Sequence, residues 1–426
     1  MIAEEQYILN NRGEPMGREF SHRMATKTLA VMNPDGTPAA GKALKITQTR
    51  HSFLFGCGAF DALEIAQTSD PARKEFLTER MEKWLALFNF GTLPFYWGRY
   101  EPVEGQDAGE AMMKAALWLR ERGVTLKGHP LCWHTVCADW LMQYPNGVIL
   151  EKQLARIRRD VEKFRGVIDM WDVVNEAVIM PVFDKYDNAV TRICKELGRV
   201  ELIRRTFAAA REAGPGAVLL LNDFNTSAEF ALLLEECLDA GIPIGAIGIQ
   251  SHQHQGYWGL GKLREVLARF AHYGLPIHFT ENTLISGRLM PREYEDLNDY
   301  KVSEWPSTPE GEDRQAREIV EMYTELFRHP QVEAVTAWDF TDGKWLGAPS
   351  GLLRKDNSCK PAYFALMEKI KGGWWTDEEV VTDDNGEARF EGFMGEYEVT
   401  GAAGKGTFRL EREGFKTVVT LGEPAG

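Results

Sequence analysis

Short apolar or β-rich runs recur eight times along this chain, and a longer, charged segment with helical periodicity separates each run from the next. The runs are SFLFGCG (52–58), FGTLPFYW (90–97), TLKGHPLCW (125–133), IDMWDVVNE (168–176), VLLLNDF (218–224), AIGIQSH (246–252), PIHFTEN (276–282) and AVTAWDF (334–340). Between them lie patterns such as PARKEFLTERMEKWLALF, EKQLARIRRDVEKFRG and GKLREVLARFAHYG. Strands that alternate with helices run parallel and are joined by right-handed crossovers. Eight such units predict closure into a (β/α)8 barrel, with PAYFALMEKIKG as the helix after the last strand. Most runs begin apolar and end polar, in His129, Asn175 with Glu176, Asn222 with Asp223, Gln250 with His252, Glu281 with Asn282, and Asp339. Any one of these is as well explained by a polar strand terminus. Their convergence on the rim where such barrels build active sites favours chemistry.

The two ends of the chain read differently. TKTLAVMNPDGTPAAGKALKITQTR (26–50) is a pair of β-rich stretches around a PDG turn, and VVTDDNGEARFEGFMGEYEVTG and GTFRLEREGFKTVVTL repeat that character near the C-terminus. Neither end has strands enough for a stable sheet alone. The expectation is an arm over residues 1–25, a β-rich segment over 26–50, a barrel over 51–372 and a small β module over 373–426. The two β-rich segments should pair into one sandwich-like unit packed on the barrel, so that a chain ending at Gly372 loses stability.

Composition narrows the function classes. There are 63 Asp+Glu against 49 Lys+Arg, a net charge of −14, which argues against a phosphate backbone as partner. No window approaches the roughly 18–20 uninterrupted apolar residues of a membrane span. MIAEEQYILNNRGEP lacks the basic and apolar regions of a signal peptide, so a soluble protein is expected, cytoplasmic or secreted after loss of a leader. Six dispersed cysteines sit mostly inside apolar runs and read as small buried hydrophobes. Cys132 and Cys137 have no second Cys/His pair at zinc-ligand spacing.

Two carboxylates carry the functional reading. Glu176 ends the fourth run and Glu281 the seventh, and strands four and seven of an eight-stranded barrel face each other across its mouth. Opposed carboxylates suit hydrolysis of a glycosidic bond, one protonating the leaving oxygen while the other attacks or activates water. A general acid must stay protonated near neutral pH, and the apolar fourth run together with the charge of Glu281 would raise Glu176 accordingly.

WDVVNEAV, with GHPLCWH (128–134) before it and IGIQSHQH (247–254) and IHFTEN (277–282) after it, resembles glycoside hydrolase family 10, the endo-β-1,4-xylanase family of clan A. AWDFTDGKWL and GLLRKDNSCKPAY resemble that family's eighth-strand segment and closing helix, so the resemblance spans about residues 45–371. It implies a retaining double displacement with Glu176 as acid/base and Glu281 as nucleophile, acting on xylan or xylo-oligosaccharides without metal or organic cofactor. It further implies that Asn175 bonds the sugar 2-hydroxyl and that His129 binds sugar. Gln250 and His252 would tune the acid/base and hold the nucleophile. Trp338 and Trp345 would form aromatic walls, with Trp133 beneath the site. The implied partner is a polysaccharide or oligosaccharide, with no nucleic acid or membrane, and a monomer is expected.

Two departures bear on substrate. Where the family carries Asn and Lys on its second strand, this chain has Leu93 and Tyr96, with Trp97 beside them. After the nucleophile, TEN is followed by Thr283 where the family more often has an acidic residue. Another or heavily decorated β-glycan is therefore one alternative, and a non-catalytic carbohydrate-binding barrel a second. A third is a metal-dependent hydrolase, because His252 and His254 have His-x-His spacing, although His254 should lie beyond the strand.

Overall fold

The computed structural model describes residues 8–9, 15–16 and 18–422. Most of the arm expected over residues 1–25 lies outside the described residues. Ile8–Leu9 pairs antiparallel with Pro15–Met16, and residues 18–25 form a 3₁₀ helix, Arg18–Arg23, and the entry to a strand. The chain forms two compact units, the larger comprising Phe55–Tyr323 and Gln331–Tyr363.

The larger unit is a (β/α)8 barrel. Its strands are Leu54–Gly58, Phe90–Pro94, Thr125–His129, Met170–Asn175, Val218–Asp223, Ala246–Gln253, Ile277–Leu284 and Val332–Ala337, and they close in sequence order. All eight expected strands are present. The second and third stop short of their expected ends at Trp97 and Trp133, and a proline stands at each place, Pro94 closing one strand and Pro130 following the other. Proline has no N–H to give a ladder. The chain then turns into the short helix Trp97–Tyr100 after the second strand.

Local chemistry explains the helices between strands. Asp70 accepts from the amides of Ala72 and Arg73 with Pro71 in the first turn, starting the helix Pro71–Leu87. Leu77, Met81, Trp84 and Leu87 recur at spacings of three and four and form its buried face. Asn188 and Ser227 cap two further helices in the same way.

Register irregularities fall between Gln250 and His252 on the sixth strand and between Phe279 and Asn282 on the seventh. Such bulges re-aim side chains, and these two flank His252 and Glu281. Inside the barrel Gly248 leaves room that any side chain would fill, since a Cβ there would lie 2.3 Å from Asn222 Oδ1.

The smaller unit contains the described residues up to Leu54, where the first barrel strand begins, Thr324–Pro330 and the described residues from Phe364 on. Two sheets draw strands from both chain ends. One orders Asp377–Val381, Ala43–His51, Gly395–Gly401 and Gly404–Leu410, all antiparallel neighbours. The other places Met24–Met32 between Glu387–Phe393, antiparallel, and Lys416–Thr420, parallel. Leu29, Val31, Ile46, Phe390, Tyr397, Val399 and Phe408 form a shared core. The PDG and DNG turns place Gly36 at φ 82° and Gly386 at φ 74°, where glycine avoids the penalty a Cβ would bring. Among the described residues no helix is long and apolar enough to cross a membrane.

Candidate active site

Glu176 follows the last residue of the fourth strand and Glu281 lies in the C-terminal half of the seventh, and both occupy a backbone region that side-chain-bearing residues avoid. Glu176 has φ 57° and Glu281 φ 59°. A non-glycine residue there costs on the order of 1–3 kcal/mol, a strain tolerated where surrounding contacts fix a functional geometry. The amide of Glu176 donates to Asn222 O at 2.8 Å, tying the end of the fourth strand to the fifth.

Side-chain amides link the two acids. Asn222 Nδ2 donates to Glu281 Oε1 at 2.8 Å and to Asn175 Oδ1 at 2.7 Å. Gln250 Nε2 donates to Asn175 Oδ1 and to Glu176 Oε1, each at 3.1 Å. Asn175 Nδ2 faces Glu176 Oε1 at 3.3 Å. Thr280 Oγ1 donates to Asn222 Oδ1 at 2.7 Å, which fixes the amide orientation.

Around this frame the other expected site residues separate into two groups. On the Glu176 side, Trp133 Nε1 donates to Glu176 Oε2 at 2.8 Å, so its indole N–H is directed to a carboxylate. His134 Nε2 lies 4.0 Å from the same oxygen. On the Glu281 side, His252 Nε2 meets Glu281 Oε2 at 3.1 Å and Thr283 Oγ1 approaches His252 Nδ1 at 3.4 Å. His129 Nε2 is 4.0 Å from Glu281 Oε1, while its Nδ1 bonds Asp172 Oδ2 at 2.7 Å. Lys127 Nζ reaches the same Asp172 oxygen at 2.7 Å.

The environments push the two acids apart. Burial raises the Glu176 carboxyl to about 8, with the charge of Glu281 adding to that shift and the Trp133 and Gln250 donors opposing it. For Glu281 burial acts in the same direction, but His129, His252 and Lys127 outweigh it and hold the carboxyl below its ordinary value. Two further acids on the rim are raised by burial, Asp223 to about 6 and Asp339 to about 7.

The aromatic residues differ in exposure. Trp338 is buried, its ring 5.3 Å from His129, 5.2 Å from Phe60 and 6.1 Å from His252. Trp345 is half-buried with its ring 4.3 Å from His252. Asp339 accepts from Ser350 Oγ at 2.8 Å and from the Trp345 amide at 3.3 Å, anchoring the segment that carries this ring. Tyr96 places its ring 5.8 Å from His129 and 5.7 Å from Trp133, so it stands at the site, whereas Leu93 is wholly buried in the second strand.

Sequence reasoning placed Asn222 on the rim without giving it a role and passed over Lys127 and Asp172. The usable signal for those two was a charge at the centre of an apolar run, in TLKGH and in MWDVV. His254, expected beyond the strand, follows its last residue and is buried against Thr283 Oγ1. Among the described residues no three His, Cys, Asp or Glu side chains are grouped to hold a metal ion.

The chain and its fold have counterparts among known proteins. The chain is 28% identical over 329 residues to an endo-1,4-beta-xylanase/feruloyl esterase of Xylanibacter ruminicola, covering 68% of this chain and 42% of that protein. It is 27% identical over 261 residues to an endo-1,4-beta-xylanase of Geobacillus stearothermophilus, covering 58% and 75%. The chain spans less than half the length of the first two curated relatives it matches, 42% and 27%. A solved family 10 structure from Paenibacillus barcinonensis superposes with TM-score 0.60 at 25% identity, covering 75% of this chain and 96% of that one. Native xylanase 10B from Thermotoga maritima shares the fold with TM-score 0.60 at 24% identity, covering 75% and 95%. The family model for glycosyl hydrolase family 10 matches residues 95–369, from just past the second strand to the closing helix, and the chain belongs to that family.

Proposed function

We propose that this protein is a retaining glycoside hydrolase that cleaves β-1,4-xylosidic bonds in xylan or xylo-oligosaccharides, with Glu281 as nucleophile and Glu176 as acid/base. The observation that carries the reading is the divergence of the two carboxyls, one raised to about 8 and one lowered. Near neutral pH that leaves one acid with a proton to give and one carboxylate able to attack, which is the division of labour a double displacement needs. The names of the relatives, endo-1,4-beta-xylanases, support the xylosidic linkage.

In the first step a Glu281 oxygen bonds the anomeric carbon while Glu176 gives its proton to the departing glycosidic oxygen. His252 and Asn222 on the two Glu281 oxygens fix the direction of attack. Asn175, its carbonyl oxygen engaged by two amides and one Nδ2 hydrogen directed to Glu176, has the second Nδ2 hydrogen to offer a sugar hydroxyl. Once the glycosyl-enzyme ester forms, the charge of Glu281 is gone and one cause of the raised Glu176 carboxyl disappears. Glu176 then takes a proton from water, and the hydroxide equivalent releases the sugar with its configuration retained.

A second reading, another or a decorated β-glycan as substrate, draws support from Tyr96 at the site and from apolar Leu93 on the second strand. One experiment addresses both. Wild type is incubated with xylan, arabinoxylan, glucuronoxylan, β-glucan and aryl β-xylosides, and products are followed by chromatography and anomeric proton NMR. Release of β-anomeric xylo-oligosaccharides is expected. Cleavage confined to another glycan favours the second reading, inversion refutes the double displacement, and absence of turnover on the whole panel refutes hydrolysis.

A further inference from the structure

The hydrolytic chemistry leaves unused a cation at the mouth of the site. Arg99, exposed on the short helix Trp97–Tyr100, lies with its guanidinium 5.7 Å from the centre of the Tyr96 ring. Tyr96 in turn meets His129 and Trp133, the neighbours of Glu281 and Glu176. Nearby arginines are paired, Arg156 with Asp160 at 3.2 Å and Arg159 with Glu101 at 3.0 Å. Arg99 has no ion pair or side-chain hydrogen bond among the described residues.

Beside Arg99 lies an open hollow of about 440 Å³, lined among others by Gly98, Val136, Asp139 and Tyr186. That volume falls in the range of about 300–1,000 Å³ common for small-molecule sites. Two of its lining segments are tied together through their backbones. The Gly98 amide donates to Val136 O at 2.8 Å, and a Cβ on Gly98 would sit 2.7 Å from Cys137 O. The wall is continuous with the site, since Tyr186 packs on Phe183 at 4.9 Å and Phe183 on His134 at 4.5 Å, next to Glu176. Asp139, like Arg99, makes no ion pair among the described residues.

We propose that this hollow is a side pocket for an acidic sugar branch, a uronosyl unit carried on the glycan backbone. Its carboxylate pairs with the Arg99 guanidinium, whose planar fork matches two carboxylate oxygens. Its hydroxyls donate to Asp139, and a face of its ring lies against Tyr186. A neutral branch of the same size satisfies Asp139 but offers Arg99 no charge. The inference rests on the hydrolytic reading for the backbone that carries the branch, yet it is tested by binding alone.

The test uses two matched ligands, a uronosyl-branched xylo-oligosaccharide and the same molecule with its carboxyl reduced to a primary alcohol. Calorimetry on the full chain carrying Glu281→Gln gives the ratio of their affinities, which cancels differences in active fraction between variants. The acidic ligand is expected to bind about tenfold or more tightly at low salt, as a charge-assisted hydrogen-bonded pair allows. Adding Arg99→Gln should bring the ratio to about one, and Arg99→Lys should restore part of it. Equal affinities in the Glu281→Gln protein, no binding of either ligand, or a ratio unchanged by Arg99→Gln overturns the pocket. Turnover is scored separately, so a wild type that cleaves no xylan counts against the hydrolytic reading while the affinity ratio judges the pocket.

Discussion

The fourth and seventh barrel strands bring the same residue type to the rim in nearly the same backbone conformation, φ 57° at Glu176 and 59° at Glu281, yet their acidities diverge. The difference lies in what faces each carboxylate. Glu176 is met by neutral donors, an indole and two carboxamides, and burial wins. Glu281 is met by two imidazoles, with the Lys127 ammonium behind them, and burial loses. Neutral donors leave desolvation dominant at Glu176, whereas two imidazoles and an ammonium reverse the balance at Glu281. The barrel thus makes an acid and a nucleophile from one side chain by changing its neighbours.

The largest expected effects come from removing either member of the pair. Glu281→Gln should lower kcat on xylo-oligosaccharides by on the order of 10⁴-fold or more, as loss of a covalent nucleophile does. Glu176→Gln should cost about 10²–10⁴-fold on glycosidic bonds, the usual worth of general acid catalysis. It should cost much less on an aryl xyloside whose phenol leaves without a proton. The wild-type rate should fall as pH rises through about 8, where Glu176 loses its proton, and Glu176→Gln should abolish that limb. Steady-state kinetics on both substrate types across pH checks all four.

Asn222→Ala sharpens the comparison by removing the amide that bridges the two halves of the site. Loss of a hydrogen bond to a charged group predicts a fall of about 10- to 100-fold in kcat. With one stabilising donor gone, the Glu281 carboxyl rises and the acid limb of the rate profile moves to higher pH. An unchanged acid limb would mean that the imidazoles alone set Glu281.

The smallest expected effect is on stability. The folded Glu176 carboxyl is raised from 4.5 to about 8. Below the unfolded value both states carry the proton and the shift has no consequence. As pH rises past it the unfolded chain ionises while the folded one holds its proton, so stability falls until about pH 8. Glu176→Gln should therefore be more stable than wild type at neutral pH, by about 3 kcal/mol, and indistinguishable from it in acid. Thermal melts at two pH values decide this.

Much of this was legible in the chain. Periodicity located all eight strands, and the polar residues ending them mark the rim on which Glu176, Gln250, His252 and Glu281 meet. What stayed hidden depends on register across strands. Asn222 ties Glu281 to Asn175 only because Gly248, on the neighbouring strand, leaves it space, and no local pattern announces that pairing. Lys127 and Asp172 looked like misplaced charges because their partners lie a strand apart, 45 positions away in sequence for one pair and 43 for the His129 contact. Strand ends at Pro94 and Pro130 were readable in principle, since proline withholds a ladder donor.

The most direct test of the central claim is a carbon-13 NMR titration of glutamate side-chain carboxyls, with the two resonances assigned through Glu176→Gln and Glu281→Gln. Glu176 should titrate near 8 and Glu281 below its ordinary 4.5, and the Glu176 midpoint should drop in the Glu281→Gln protein as the neighbouring charge disappears. Two carboxyls titrating together in the ordinary range, or the assignments reversed, would contradict the division of roles between the fourth and seventh strands.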